Sequence, residues 1–215
     1  MKFDETSYSI NGDTGWACVA TTGQNYITIE ASRGACVLQK HFGTFCGVAI
    51  SDGWYAYKIF EMLQRCWAHI LQEARHLSRR TKSEDAAQLY DSLQELFSDA
   101  KSGLEDIPAS NYLLHQEMMK RLEEIISVHE TYMQLRKFIT KLKNAKDNLF
   151  TFLLYPGVLP TNNAAKQALR EPIVHRKIRR LVRNEKGMKM FGNLMTCMMT
   201  WNLRECNIIH VVKHL

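Results

Sequence analysis

Two aspartates and one lysine mark the chemistry open to this sequence. Asp4 stands in the opening run KFDETSYSI, Asp52 follows the apolar run FCGVAIS, and Lys166 lies in LPTNNAAKQALRE, residues 159–171. If the two runs are neighbouring strands, their carboxylates converge at one place. Hard cations such as Mg²⁺ take oxygen ligands and keep several waters. Two such ions about 4 Å apart stabilise both the attacking and the leaving oxygen of a phosphoryl displacement. That chemistry asks for a third acid from a nearby helix. Residues 159–171 read as such a helix, opened after Pro160 with Thr161 or Asn162 as its cap. The polar side chain it offers is Lys166. A plainer reading stands beside this one: Asp before Gly, as in Asp52-Gly53, is a common turn residue, and Asp4 is equally readable as an exposed strand residue.

The elements that must position these groups follow from periodicity. Residues 2–10 alternate and are rich in aromatic and β-branched side chains, which predicts a strand. Residues 11–15, Asn-Gly-Asp-Thr-Gly, predict a turn. Residues 16–22 and 26–32 predict two further strands, which completes an antiparallel meander. A short helical stretch is expected near Val37 to His41. FCGVAIS, 45–51, is a nearly continuous apolar run, the pattern of a strand buried on both faces. A short helix near Trp54–Phe60 and a strand-like MLQRCW follow. Trp54, Tyr55 and Tyr57 read as core or helix-packing residues rather than base-stacking groups.

From about residue 69 the period becomes helical. Leu89, Leu93, Leu96 and Phe97 share one face, as do Leu122, Ile125, Ile126 and His129, and then Leu135, Phe138, Ile139 and Leu142. Residues 76–150 therefore read as a helical block set between two parts of an α/β unit, 1–75 and 151–215. The last segment, Met188 to Arg204, reads as a Met-rich helix whose Met188, Phe191, Met195, Met198, Met199 and Leu203 form core.

Charge is concentrated in one place. Between Lys166 and Lys189 nine basic residues face two acids, a net +7, so with a chain total of +6 everything else sums to −1. A confined basic segment is the footprint expected for a polyanion, or else a solvated basic surface. The six cysteines include no C-x-x-C pair and are expected to be reduced core thiols. Cys66-x-x-His69 is a single pair, and a structural zinc site needs four ligands. His69, Glu73 and Arg75 read either as a solvated helix start or as lining the active face. No apolar run approaches a membrane span and the N-terminus carries no signal core, so the expected location is cytoplasmic, at the nucleoid.

The blocks FDETSYSINGDTGWACVATT, VAISDGWYAYK, QRCWAHILQEAR, LPTNNAAKQALREPIVHRKI and NEKGMKMFGNLMTCMMTWN occur in this order over nearly the whole chain. They resemble the IS-sixty-six-like group of DDE-type insertion-sequence transposases. The resemblance implies a ribonuclease-H-like mixed sheet flanked by helices, an all-helical insertion before the third acid, and two Mg²⁺ (or Mn²⁺) ions. It implies nicking of a DNA end by water, then attack of the freed 3′ hydroxyl on target DNA. Element ends and target DNA are the implied partners, with assembly of several copies on DNA left open.

Carried over by position, the first two acids are Asp4 and Asp52, the implied metal ligands. The third acid of the family sits in a helix reading Asn-Asn-x-Ala-Glu-Arg-x-Leu-Arg. Here that helix reads Asn162-Asn163-Ala164-Ala165-Lys166-Gln167-Ala168-Leu169-Arg170, with Lys166 in the place of the Glu and Gln167 in that of the Arg. Lysine offers three donors and no acceptor, so it cannot replace a carboxylate ligand. Asn162 and Asn163 fall on the Lys166 face of a regular helix but offer neutral oxygens only, Glu171 falls about 140° round it, and Glu5 points away from Asp4. Each departure can arise from one G-to-A codon change, as in a copy decayed from an active element. Arg170, His175, Arg176, Lys177, Arg179, Arg180, Arg183 and Lys186 are the implied DNA contacts. The DNA-end-binding part that family members carry upstream is expected to be missing. The alternative is a non-catalytic DNA-binding or subunit-interaction remnant.

Overall fold

The computed structural model describes residues 1–105, 108–179 and 182–206, without the side chain of Arg179. The chain divides into two units: Met1–Met62 with Asn162–Leu215, and Leu63–Thr161, which interrupts the first in sequence.

The first unit opens with β1 (Lys2–Ile10), β2 (Asp13–Thr21) and β3 (Asn25–Glu30), paired as an antiparallel meander. Ile10 pairs with Asp13, so only Asn11 and Gly12 make the turn, at φ 49° and 95°. A two-residue hairpin of this kind needs positive φ at both positions, which Asn-Gly supplies cheaply. This is why β2 starts at Asp13, three residues earlier than the turn composition suggested. After α1 (Ala35–Phe42) comes β4 (Ala49–Ser51), parallel to β1 with Lys2 opposite Ile50. The strand expected over 45–51 is cut to three residues because Phe45 leaves the sheet line to pack on Phe3 and Phe60, at ring-centre distances of 6.2 and 5.7 Å. A 3₁₀ turn, Tyr55–Ile59, follows.

The second unit begins with β5 (Leu63–Arg65) and continues as α2 (Trp67–Thr81), α3 (Glu84–Ser102), α4 (Pro108–His129), α5 (Arg136–Ala145), a 3₁₀ turn and α6 (Thr151–Leu154). Its core joins the apolar stripes legible in sequence, Leu89, Leu93 and Leu96 with Leu122, Ile126, Phe138 and Leu142, around the fully buried Trp67. The Trp67 indole stacks 5.0 Å from Phe97 and donates to the Leu149 carbonyl at 2.7 Å, which satisfies its one polar group. Glu73 is ion-paired with Lys141 at 2.6 Å.

The chain then returns to the first unit as α7 (Asn163–Ala168), α8 (Arg170–Arg179) and α9 (Glu185–Leu203). Four strands of this unit lie in the order β3-β2-β1-β4, three antiparallel and the last parallel. The fold is α/β and ribonuclease-H-like, a mixed sheet flanked by helices. Alternation along the strands sends side chains to two faces. One carries Phe3 and Glu5 and is covered by the aromatic group Phe42, Phe45, Tyr57 and Phe60. The other carries Tyr8, Ala17, Val19, Ile27 and Ile29, packed on Ala168, Leu169 and Met195.

Helix α9 docks on the edge strand β3 through small and hydroxyl residues one turn apart. Thr196 Oγ1 accepts from the Ile27 N–H at 2.9 Å and Thr200 Oγ1 from the Asn25 N–H at 3.1 Å. An exposed strand edge is a template for pairing with another chain, and this docking satisfies it. At Gly192 an added Cβ would sit 2.9 Å from the Ile27 carbonyl oxygen. The core face of α9 is therefore narrower than its apolar residues suggest. Met195 is buried, Met188, Phe191 and Met199 pack at the flanks, and Leu203 is exposed. The cysteines also depart from expectation. All six are free, but only Cys66 is fully buried, while Cys36, Cys46, Cys197 and Cys206 are exposed. No helix among the described residues is long and apolar enough to cross a membrane.

Candidate active site

The parallel register of β1 and β4 sets the two aspartates level. Lys2 faces Ile50, and Asp4 and Asp52 each lie two residues further along. Neighbouring strands run about 4.8 Å apart, so residues at one level share a local environment. Asp4 is half-buried in mid-strand, and its Oδ1 accepts from the Glu5 N–H at 3.1 Å. Asp52 closes a turn, its Oδ1 accepting from the Trp54 N–H at 2.9 Å. The turn reading and the paired-acid reading of Asp52 thus coexist: one carboxylate oxygen holds the turn.

Burial pushes the Asp4 carboxyl up to about 6; the Glu5 N–H opposes this, the charge of Asp52 adds to it, and that of Lys166 works against it. Asp4, Asp52 and Lys166 are therefore close enough for their charges to be felt at one carboxylate. Lys166 is half-buried on α7, which is positioned by Asn162. Asn162 is fully buried and donates from Nδ2 to the Phe3 carbonyl at 3.0 Å, next to Asp4, instead of capping α7 with its side chain. Sequence placed Asn162 and Asn163 together on the Lys166 face. Asn162 stands at the cap position, as one of the two expected residues, but its side chain serves as the anchor to β1, and Asn163 is exposed. The helix also breaks at Leu169, so the angle reckoned for Glu171 on a continuous helix does not apply; Glu171 is exposed on α8.

A third carboxyl lies nearby, its orientation as expected but its partners not legible in sequence. Glu5 lies on the opposite face of β1 from Asp4, as alternation requires, with its side chain only 5% exposed. Its Oε2 accepts from the Tyr57 hydroxyl at 2.5 Å, and Arg33 Nη1 lies 3.6 Å from Oε1. Burial pushes Glu5 up to about 7 against the Tyr57 hydrogen bond, with Asp52 and Asp4 raising it further and Arg33 lowering it. The signal available was Tyr57 itself, since a buried tyrosine hydroxyl needs a polar partner.

Among the described residues, no group of three or more His, Cys, Asp or Glu side chains is placed to hold a metal ion. Two carboxylates with an ammonium form a donor set that does not fit a pair of hard cations, which bind oxygen ligands.

The basic segment divides by environment. Arg170, Lys177, Arg183 and Lys186 are exposed. Arg176 turns inward and donates through Nη1 to the Ser7 carbonyl, and to Ser7 Oγ at 3.1 Å. The His175 ring packs edge-on against Phe191, 5.7 Å between centres. Arg180 and the side chain of Arg179 lie outside the described residues.

The model of the transposase IS66 family matches residues 1–190, and the chain belongs to that family. Membership brings DNA transposition and recombination as the general function, DNA as the partner, and a general dependence on divalent metal. No curated protein and no solved structure is a match to the chain.

Proposed function

We propose that this chain is a DDE-type catalytic domain, a ribonuclease-H-like core with a helical insertion, in which Lys166 takes the place of the third acid and impairs DNA cleavage. The observation that carries this reading is the register of Lys2 with Ile50, which sets Asp4 level with Asp52, together with the Lys166 charge felt at Asp4. Asp4 and Asp52 are the residues left to bind metal. Lys166 supplies a fixed positive charge where an intact site would hold cations, and so offsets the repulsion between the two carboxylates. With an ammonium in place of the third carboxylate, the site lacks the oxygen ligands that a pair of cations needs to stabilise the attacking and leaving oxygens. Arg170, Lys177, Arg183 and Lys186 hold DNA by its phosphates, a contact that positions the duplex without reading its sequence. His175 and Arg176 support that surface from beneath.

The reading is tested by nicking of element-end DNA in Mg²⁺ or Mn²⁺, comparing the native chain with Lys166→Glu. Cleavage that appears with the variant and is absent from the native chain supports it; equal rates for the two proteins reject the assignment of Lys166. A second reading, a DNA-binding remnant without catalysis, is favoured by the lack of any three-ligand metal group among the described residues. Under it Lys166→Glu binds DNA as before and still fails to cut.

A further inference from the structure

Immediately past Asp52 the chain places three aromatic side chains within four residues and treats them differently. Tyr57 is buried, at 4% exposure, with its hydroxyl on Glu5. Trp54 is half-buried and fixed at both ends: its backbone N–H donates to Asp52 Oδ1 at 2.9 Å and its indole Nε1 to the Arg33 carbonyl at 3.2 Å. The Arg33 guanidinium lies 3.7 Å from the centre of the Trp54 ring and 4.1 Å from that of Trp16. Tyr55 is the exception. It is 62% exposed, and its ring sits 4.5 Å from that of Trp54 at an interplanar angle of 52°. An aromatic ring this open contributes nothing to the core. Yet it is backed by a tryptophan anchored through one backbone and one indole hydrogen bond, with a guanidinium against its ring.

We propose that Tyr55, backed by Trp54 and Arg33, is a stacking platform for an unpaired nucleobase beside Asp52. This rests on the reading that Asp52 belongs to a DNA-processing site. Every base has a π-face, and aromatic side chains hold bases by stacking without regard to sequence. Within a duplex that face is covered by the neighbouring base pairs; it becomes available only at a strand end or in an extruded nucleotide. The ligand class is therefore single-stranded or flipped-out DNA rather than intact duplex, and Arg33 adds cation–π polarisation to the stack. Tyr55 is tied to the acid through a short path, since Asp52 Oδ1 itself holds the Trp54 backbone. A base seated there is next to Asp52, one of the two carboxylates of the proposed site.

The test compares a blunt duplex with the same duplex carrying a short single-stranded overhang that contains 2-aminopurine. Affinity is read by anisotropy and stacking by quenching of the 2-aminopurine. The native chain is expected to prefer the overhang and to quench it. Tyr55→Ala should lose that preference, about 5- to 100-fold in affinity, while still binding the blunt duplex; Tyr55→Phe should retain it. Native-like affinity and quenching in Tyr55→Ala, or a native chain with no preference for the overhang, overturns the platform and leaves the DNA reading standing. A native chain that binds neither DNA overturns the DNA reading as well.

Discussion

Asp4 on β1 and Asp52, the residue just past the end of the parallel β4, each lie two residues beyond the paired Lys2 and Ile50, and Lys166 contributes a positive charge felt at Asp4. At Asp4 the Lys166 charge opposes that of Asp52, while burial, the largest cause, leaves the carboxyl raised.

Replacing Lys166 by Glu removes that cation and adds a third acid. In chelator the variant should be less stable than the native chain. With saturating Mn²⁺ it should recover, since a ligand at about 100 times its Kd adds about 2.7 kcal/mol. Thermal melts with and without Mn²⁺ decide this, and a native chain stabilised by Mn²⁺ as strongly as the variant would contradict the role given to Lys166.

Stability should fall as pH rises from about 5 to 8. Both Asp4, at about 6, and Glu5, at about 7, sit above their ordinary values because burial disfavours the charged forms. The folded chain therefore holds these protons more tightly than the unfolded chain. That contribution is complete below the ordinary carboxyl range and is lost as pH passes through the raised values. Each group accounts for about 1–3 kcal/mol over this window. Urea melts at several pH values should show a shallower decline for Glu5→Gln; an unchanged slope would refute the burial argument.

Gly192→Ala tests the seat of α9 on β3. The added methyl meets the Ile27 carbonyl oxygen at 2.9 Å, a backbone atom that cannot turn aside. A loss of about 1–3 kcal/mol is expected from overpacking, although alanine is the better helix former by about 1 kcal/mol. A stability equal to the native chain, measured by denaturant unfolding, would show that the helix has slack.

The basic segment should separate into two kinds of residue. Lys177→Ala, Arg183→Ala and Lys186→Ala should each weaken DNA binding and reduce the slope of log affinity against log salt by about 1, without lowering the melting temperature. Arg176→Ala should act the other way round. Its guanidinium is held by the Ser7 carbonyl and hydroxyl, so its removal should cost stability before it costs salt dependence.

Sequence showed most of the scaffold because the signals were local. Alternation gave β1 to its last residue, and helical spacing gave the stripes of α3, α4 and α5. It overextended the fourth strand because an apolar run does not reveal that Phe45 will turn into an aromatic cluster. At the site, the types and order of Asp4, Asp52 and Lys166 were legible, since the family pattern is linear. Asn162 holding Phe3, Glu5 holding Tyr57, and Arg33 over two tryptophans were not. These pairings join residues far apart in the chain, and single-sequence periodicity carries no information about which polar group finds which.

The order of synthesis has a consequence for how this protein is made. The meander leaves the ribosome well before the helix that seals its edge, since Glu185–Leu203 lies far downstream of β3 in the chain. Until then the nascent chain carries a bare β3 rim, a template for unwanted pairing. Stalled or prematurely terminated products lacking α9 should therefore be the aggregation-prone and protease-sensitive forms in the cell.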